Sequence, residues 1–182
     1  MDNGASSYRR FLNGDKNAFD EILDLYRESL IFFINRFVHN LDTAEDLAAD
    51  SFAELLVNPK RFNFSCSLKT YLFTIGRSRA IDYLRSAAHR KNVPLDDTAA
   101  QKADLESLEE AVIKSDRKRR LNKAIEGLKE DYRTAIHLVY FEELSYEEAG
   151  KVMKKSKKQV ENLLYRAKKA LRTELEKEGF EL

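Results

Sequence analysis

Hydrophobic residues recur every three or four positions along most of the chain, a spacing typical of amphipathic helices rather than strands. One stripe covers residues 18–37, a second ends before Pro59, and a third runs from Leu68 to Leu84. The predicted N-caps of these three helices are, in order, Asp15, Asp42 or Thr43, and Ser67. Short polar side chains at such positions accept hydrogen bonds from the amides of a first helical turn. The first half of the chain is therefore expected to be a helical bundle.

The hydrophobic pattern fades near residue 87 and returns beyond residue 115. Between these points Pro94 interrupts the chain and small and acidic residues dominate, which is typical of a linker. Its acidic run contains Asp96, Asp97, Asp104, Glu106, Glu109 and Glu110. The pattern predicts an all-α fold with two small helical domains, at 1–87 and 116–182, joined by a flexible acidic linker at 88–115.

Two helix-start signals lie close together near the C-terminus. Ser145 with Glu148, and Ser156 with Gln159, each have the spacing of a capping box, and one short helix plus a turn separates them. The second helix would bury a stripe made of Val160, Leu163, Leu164, Ala167 and Leu171. This arrangement predicts a helix-turn-helix.

The opposite face of that second helix is basic and polar. It carries Lys157, Lys158, Gln159, Asn162, Tyr165, Arg166, Lys168, Lys169 and Arg172, with only Glu161 as an acidic residue. Such a face suits a helix that lies along phosphates in a DNA major groove. There Asn162 can pair with adenine, Arg166 with guanine or a phosphate, and Glu161 with cytosine. The sequence therefore predicts DNA recognition by this helix.

Composition narrows the range of functional classes to which the chain can belong. The chain has 182 residues, 43% of them hydrophobic, and its formal net charge of +1 hides the separation of an acidic linker from a basic helix. Cys66 is the only cysteine, so an intrachain disulfide is excluded. The N-terminus lacks the apolar core of a signal peptide, and no apolar run approaches membrane-spanning length. We expect a cytoplasmic protein without membrane insertion.

Taken in order, several short motifs resemble those of a bacterial sigma factor of the extracytoplasmic-function type. The first half contains Ala44-Glu45-Asp46-Leu47 followed by Phe52, and Tyr71-Leu72-Phe73-Thr74-Ile75-Gly76-Arg77 followed by Ala80-Ile81-Asp82-Tyr83-Leu84-Arg85. The second half contains Leu144-Ser145-Tyr146-Glu147-Glu148-Ala149, then Val160 and Arg166-Ala167-Lys168. The resemblance implies a two-domain specificity subunit that binds core RNA polymerase, at its clamp and flap, and promoter DNA. It also implies a possible anti-sigma partner. No metal-ligand spacing or phosphate-binding glycine loop is visible in the sequence, so we expect neither a metal nor a cofactor.

The resemblance assigns candidate residues to three surfaces. The minus-35 element would contact Lys157, Lys158, Gln159, Glu161, Asn162, Tyr165, Arg166 and Lys169. The minus-10 element would contact Arg61, Asn63, Phe64, Ser65, Cys66, Lys69, Arg77, Ser78 and Arg85. The polymerase would contact Asp46, Leu47, Asp50, Ser51, Glu54 and Leu55. Two departures from the family are Ala49, where Gln is common, and Lys154, where a turn glycine is usual.

Physical arguments support the minus-10 assignment independently. An opened strand is held by pockets or aromatic faces for unstacked bases, with cations along its backbone. Residues 62–67 form a loop of the size that can receive a flipped base, and Phe64 is its candidate platform. Lys69, Arg77 and Arg85 supply the cations.

Other functional classes remain as alternatives. The main one is a helix-turn-helix regulator that acts as a dimer without polymerase, and a second is a helical adaptor whose basic helix lies on an anionic membrane. An enzyme is disfavoured because His39, His89 and His137 are scattered and Cys66 has no evident base partner. The acidic linker has two interpretations, a mimic of nucleic acid or a plain soluble tether.

Overall fold

A computed structural model describes residues 4–91 and 119–177, and the described residues contain helices and no strand. They form two compact units, divided between Gln101 and Lys102. The predicted all-α fold with two small helical domains is confirmed. Most of the predicted linker at 88–115, with its acidic run, lies outside the described residues, so its role stays a prediction. None of the described helices is both long and apolar enough to cross a bilayer.

In its described residues, 4–91, the first unit contains four helices, α1 (Ala5–Leu12), α2 (Asn17–Val38), α3 (Leu41–Val57) and α4 (Leu68–Lys91). The helix α2 lies at the centre and contacts the other three, because its predicted apolar stripe is buried. The core includes the fully buried Ile22, Leu30, Phe33, Ile34, Leu55, Leu68, Leu72 and Phe73. The short helix α1 was not among the predicted elements.

The start of α2 differs from the prediction. Lys16 occupies the N-cap position in a helical conformation, and no side chain caps the first turn, so Asp15 was wrong as an N-cap. The Asp15 carboxylate instead lies 3.4 Å from the Arg10 guanidinium, an ion pair that joins the end of α1 to the turn.

The start of α3 also differs by a few residues. The N-cap is Asn40, whose backbone is extended and whose side chain accepts a hydrogen bond of 2.8 Å from the Thr43 amide. Asp42 and Thr43 were therefore wrong as caps, since both lie inside the first turn. The cap predicted for the next helix is confirmed, because the Ser67 hydroxyl accepts from the Thr70 amide at 3.1 Å.

The described part of the second unit begins with helical residues 119–126, here α5. It continues with α6 (Glu130–Ile136), a π-helical turn (His137–Phe141), α7 (Tyr146–Met153) and α8 (Lys157–Lys177). The helix α8 packs on α6 and α7. The core of this unit includes Ile125, Leu138, Ala149, Val152, Val160, Leu164 and Ala167. Burial of these residues fixes which face of α8 is exposed.

Candidate nucleic-acid interface

Both predicted capping boxes are present in the second unit. At the start of α7, the Ser145 hydroxyl accepts from the Glu148 amide at 3.2 Å, and the Glu148 carboxylate accepts from the Ser145 amide at 3.1 Å. At the start of α8, Gln159 Oε1 accepts from the Ser156 amide at 2.7 Å, and the Ser156 hydroxyl accepts from the Gln159 amide at 3.3 Å. These reciprocal bonds satisfy amides that the helix itself leaves without partners. The helix-turn-helix is confirmed.

The turn between α7 and α8 is tight. Lys154 has a φ of 55°, the left-handed region that glycine usually occupies at this point of a helix. The Lys155 amide then donates to the Gly150 carbonyl at 2.9 Å. A Cβ at position 150 would lie 2.5 Å from the Lys155 carbonyl oxygen, so Gly150 permits this close approach. The turn therefore keeps the left-handed conformation although a lysine replaces the usual glycine.

The exposed face of α8 lies opposite its buried stripe. All eight predicted minus-35 residues are exposed. Five of them follow the spacing i, i+4, i+7, i+8 and i+11 and therefore line the centre of this face, namely Lys158, Asn162, Tyr165, Arg166 and Lys169. We call these five residues the α8 stripe.

Lysines beside the stripe already have partners within the unit. Lys157 Nζ lies 3.0 Å from Glu147, and the hydrogen bond that it donates to that carboxylate raises the pKa of Lys157. Lys168 Nζ lies 5.3 Å from the centre of the Tyr140 ring, and a hydrogen bond with Tyr140 raises the pKa of Lys168. Both ammonium groups are thus held on the flank of α8.

Among the described residues, the cations of the α8 stripe have no ionic partner, unlike the next arginine along the helix. Arg172, one turn beyond Lys169 on the same side of α8, pairs with Glu176 at 3.2 Å. Lys158, Arg166 and Lys169 make no ion pair with any residue that the structure describes. Because no carboxylate neutralises them there, their charge is available to an anionic ligand.

The loop between α3 and α4 brings polar and aromatic candidates together. Asn63 and Ser65 are exposed, Phe64 and Cys66 are half-buried, and Asn63 Oδ1 accepts from the Ser65 amide at 3.1 Å. Phe62 was expected to belong to the base-receiving part of the loop, but it is 3% exposed and is a core residue. The structure therefore leaves Phe64 as the aromatic candidate of this loop.

The remaining minus-10 candidates are spread over the neighbouring helix. Lys69, Arg77 and Ser78 are half-buried on α4, and Arg85 is exposed. Ser78 and Arg85 are two turns apart and share a face of α4. Arg61, in the loop, pairs with Glu54 of α3, so its charge is partly neutralised. The nine candidates thus lie on the loop and along α4, and five of them, Arg61, Asn63, Phe64, Ser65 and Cys66, belong to the loop.

The polymerase candidates on α3 divide into exposed and buried residues. Asp46 is exposed and Leu47 is half-buried, as a docking face requires. Ser51 and Leu55 are 0% and 1% exposed, and the Ser51 hydroxyl donates to the Leu47 carbonyl at 2.7 Å. Their assignment to a contact surface is corrected, because both side chains pack inside the bundle.

Charge on the same face of α3 is partly balanced within the unit. Arg79 of α4 lies 3.6 Å from Asp50 and 3.5 Å from Glu54. Beyond these carboxylates, Leu56 and Val57 are 47% and 75% exposed. Leu56 was expected in the apolar stripe of α3 and Val57 was assigned no role, although two adjacent apolar residues at a helix end are a usable signal of an exposed contact surface.

Comparisons with known proteins match both units. The protein-family model described as Sigma-70 region 2 matches residues 22–90, and the family model described as Sigma-70, region 4 matches residues 118–171. The RNA polymerase sigma-H factor of Pseudomonas aeruginosa is 31% identical over 172 residues, covering 89% of this chain and 88% of that protein. The chain belongs to the extracytoplasmic-function sigma factors of RNA polymerase.

Further relatives agree with this family. The ECF RNA polymerase sigma factor SigW of Bacillus subtilis is 29% identical to this sigma factor, with 89% of the chain and 91% of SigW covered. The sigma factor RpoE of Bartonella quintana, solved in complex with the anti-sigma factor NepR, has a TM-score of 0.66 at 25% identity, covering 87% and 96%. CnrH, solved with the cytosolic domain of CnrY, shares the fold, with a TM-score of 0.65 at 20% identity, covering 96% and 95%.

Proposed function

We propose that this sigma factor selects promoters by using its two units for different contacts. Residues 1–87 bind core RNA polymerase and the minus-10 element, and residues 116–182 bind the minus-35 element. Matches to region 2 and region 4 in that order support this division. They also favour it over a dimeric helix-turn-helix regulator, which has no need of a polymerase-binding unit.

The α8 stripe is the proposed minus-35 reading surface. The observation that carries this proposal is that its three cations are exposed and lack carboxylate partners among the described residues, on the face opposite the core. Arg166 and Asn162 are the residues able to pair bidentately with a base. Lys158 and Lys169 are assigned to phosphates.

Variants of the reconstituted holoenzyme test this assignment. Arg166→Ala should weaken promoter binding by about 1–3 kcal/mol and relax the sequence preference at one position, if Arg166 reads a base. Arg172→Ala is the matched control, because it removes the same charge from an arginine of the same helix that already pairs with Glu176. Equal effects of the two variants on every DNA sequence would contradict base reading by the stripe.

The exposed face of α3 is the proposed polymerase contact. Asp46 makes no ion pair with any described residue, and Val57 adds an exposed apolar side chain about three turns further along the helix. A mixed acidic and apolar surface suits a basic partner helix. Asp46→Arg should reduce the affinity for core polymerase, whereas Asp24→Arg, an exposed control on α2, should not. Unchanged binding by Asp46→Arg would contradict the contact.

The same proposal implies that this sigma factor acts by binding and not by catalysis. It would do so in the cytoplasm, where the polymerase works. An anti-sigma protein is a further proposed partner, because the relative RpoE was solved with one. Such an inhibitor would cover the surfaces named above. Purification of the chain from its own host, with added core polymerase as competitor, tests this partner. A bound protein that core polymerase displaces is the expected result, and a partner that stays bound to the holoenzyme would contradict it.

A further inference from the structure

The helix α1 lies outside the residues that match region 2, yet it is fixed in the first unit. Tyr8 is fully buried, and its hydroxyl donates to the Leu55 carbonyl at 3.0 Å and lies 3.2 Å from that of Pro59. Burial raises the pKa of Tyr8 to about 12. The Ser7 hydroxyl donates to Glu21 at 2.8 Å. These contacts hold α1 against the end of α3 and the loop that follows it.

This anchoring places Arg9 on the loop. The Arg9 guanidinium carbon lies 4.7 Å from the centre of the Phe64 ring, and Arg9 itself is exposed. The Phe64 ring packs on Phe62, with ring centres 4.7 Å apart, and Tyr8 lies 6.2 Å away. Phe64 is thus supported from the core side by aromatic residues and covered by a cation from α1.

The backbone at this position is strained. Phe64 has a φ of 60°, a conformation that costs energy for a bulky side chain and persists where its surroundings hold it. The neighbouring Asn63 side chain satisfies the Ser65 amide, which helps to fix the loop. Strain of this kind concentrates at functional sites.

Neighbouring arginines on α1 have different surroundings. Arg10 is paired with Glu21 and Asp15, so its charge is balanced inside the unit. Arg9 makes no ion pair with any residue in the described part of the chain. A guanidinium lying on a ring is held flat and keeps N–H donors at its edge for a phosphate.

We propose that Arg9 is a further nucleic-acid contact, which binds a backbone phosphate of the single strand held at the loop while the Phe64 ring holds the guanidinium in place. The proposal rests on the proposed function of this loop in minus-10 recognition. Aromatic faces combined with cations are the general means of holding single strands. Arg9 adds such a cation from a helix outside the matched region.

Holoenzyme binding to a fluorescent oligonucleotide tests the proposal. The oligonucleotide carries the non-template minus-10 strand of a promoter found by run-off transcription, and its affinity is measured over a series of salt concentrations. Arg9→Ala should weaken binding about 3- to 10-fold and reduce the log-log salt slope by about 0.7, the value for one phosphate contact on a single strand. Arg9→Lys should restore the slope, because it keeps the charge, and only part of the affinity.

Arg10→Ala is the matched control. It removes the same charge from the same helix and does not touch Phe64, while the Tyr8 and Ser7 hydrogen bonds still attach α1 to the unit. Its salt slope should equal that of the wild type. If Arg9→Ala keeps the wild-type affinity and slope, or if Arg10→Ala lowers the slope equally, the Arg9 contact is overturned. A wild-type holoenzyme that fails to bind the strand overturns the minus-10 function together with this proposal.

Discussion

Gly150 provides the sharpest test of the helix-turn-helix geometry. An added Cβ there would lie 2.5 Å from the Lys155 carbonyl oxygen, which is a backbone atom and cannot move without moving the turn. The Gly150→Ala variant would also strain the 2.9 Å hydrogen bond from the Lys155 amide to the Gly150 carbonyl. Both effects change the angle at which α8 leaves the turn.

The magnitude follows from three opposing effects. Alanine gains about 1 kcal/mol over glycine inside a helix. Steric overlap costs about 1–3 kcal/mol, and the weakened hydrogen bond costs about 1 kcal/mol more. The net expectation is a loss of about 1–3 kcal/mol in the unfolding free energy of the second unit. For a unit of this size, that loss corresponds to a decrease in Tm of about 5–20 °C.

Hydrogen exchange followed by mass spectrometry on the full chain measures this effect unit by unit. Amides in α7 and α8 should exchange faster in Gly150→Ala, whereas those in α2 and α4 should not change. Gly127→Ala is the matched control in the same unit, because its Cβ would meet no atom nearer than 3.5 Å. Wild-type exchange in α7 and α8 of Gly150→Ala would refute the geometry of the turn.

Three further predictions concern stability. Lys154→Gly should raise the unfolding free energy of the second unit by about 0.5–1 kcal/mol, seen as a higher urea midpoint, because glycine relieves the backbone strain at a φ of 55°. A lower midpoint would argue against strain at this position. Asn40→Ala should cost about 1 kcal/mol through loss of the α3 cap, measured by urea unfolding, and an unchanged midpoint would contradict the cap. Hydrogen bonds from Arg10 and Ser7 lower the pKa of Glu21 below its ordinary 4.5, so its stabilising effect is present above pH 4.5 and is lost as the pH falls through the lower folded value. Lowering the pH should therefore speed amide hydrogen exchange in α1 more in the wild type than in Glu21→Gln, after correction for the intrinsic exchange rate. Equal responses of the two proteins to acid would contradict this linkage.

Local features made the second unit predictable from the sequence. A capping box needs only residues three positions apart, and both boxes form as the sequence indicated. The apolar stripe of α8 then determines its exposed face. The left-handed backbone at Lys154 was harder to foresee, because a lysine is an unusual residue for that conformation.

Long-range contacts made α1 unpredictable. This helix has eight residues, too few for a clear hydrophobic period, and its anchor Tyr8 bonds to Leu55, which lies 47 positions away in sequence. No local pattern reports such a contact. The placement of Arg9 over Phe64 therefore required the folded structure.

The burial of Ser51 and Leu55 shows a second limit of sequence reasoning. The helix α3 contacts both α2 and α4, so more of its surface is covered than a single stripe suggests. A serine can enter this core because its hydroxyl bonds to a carbonyl one turn earlier. Sequence alone gave these two residues to a docking face, whereas packing places them inside the bundle.

Run-off transcription with core RNA polymerase shows whether this chain directs promoter-specific initiation. Genomic fragments of the host are incubated with core polymerase alone, with the chain alone, and with both. Discrete transcripts are expected only when both are present, and they should be lost when Asp46→Arg prevents assembly. Sequence-specific binding of the chain to palindromic operators as a symmetric dimer, with no transcript from the combined reaction, would contradict this role in initiation.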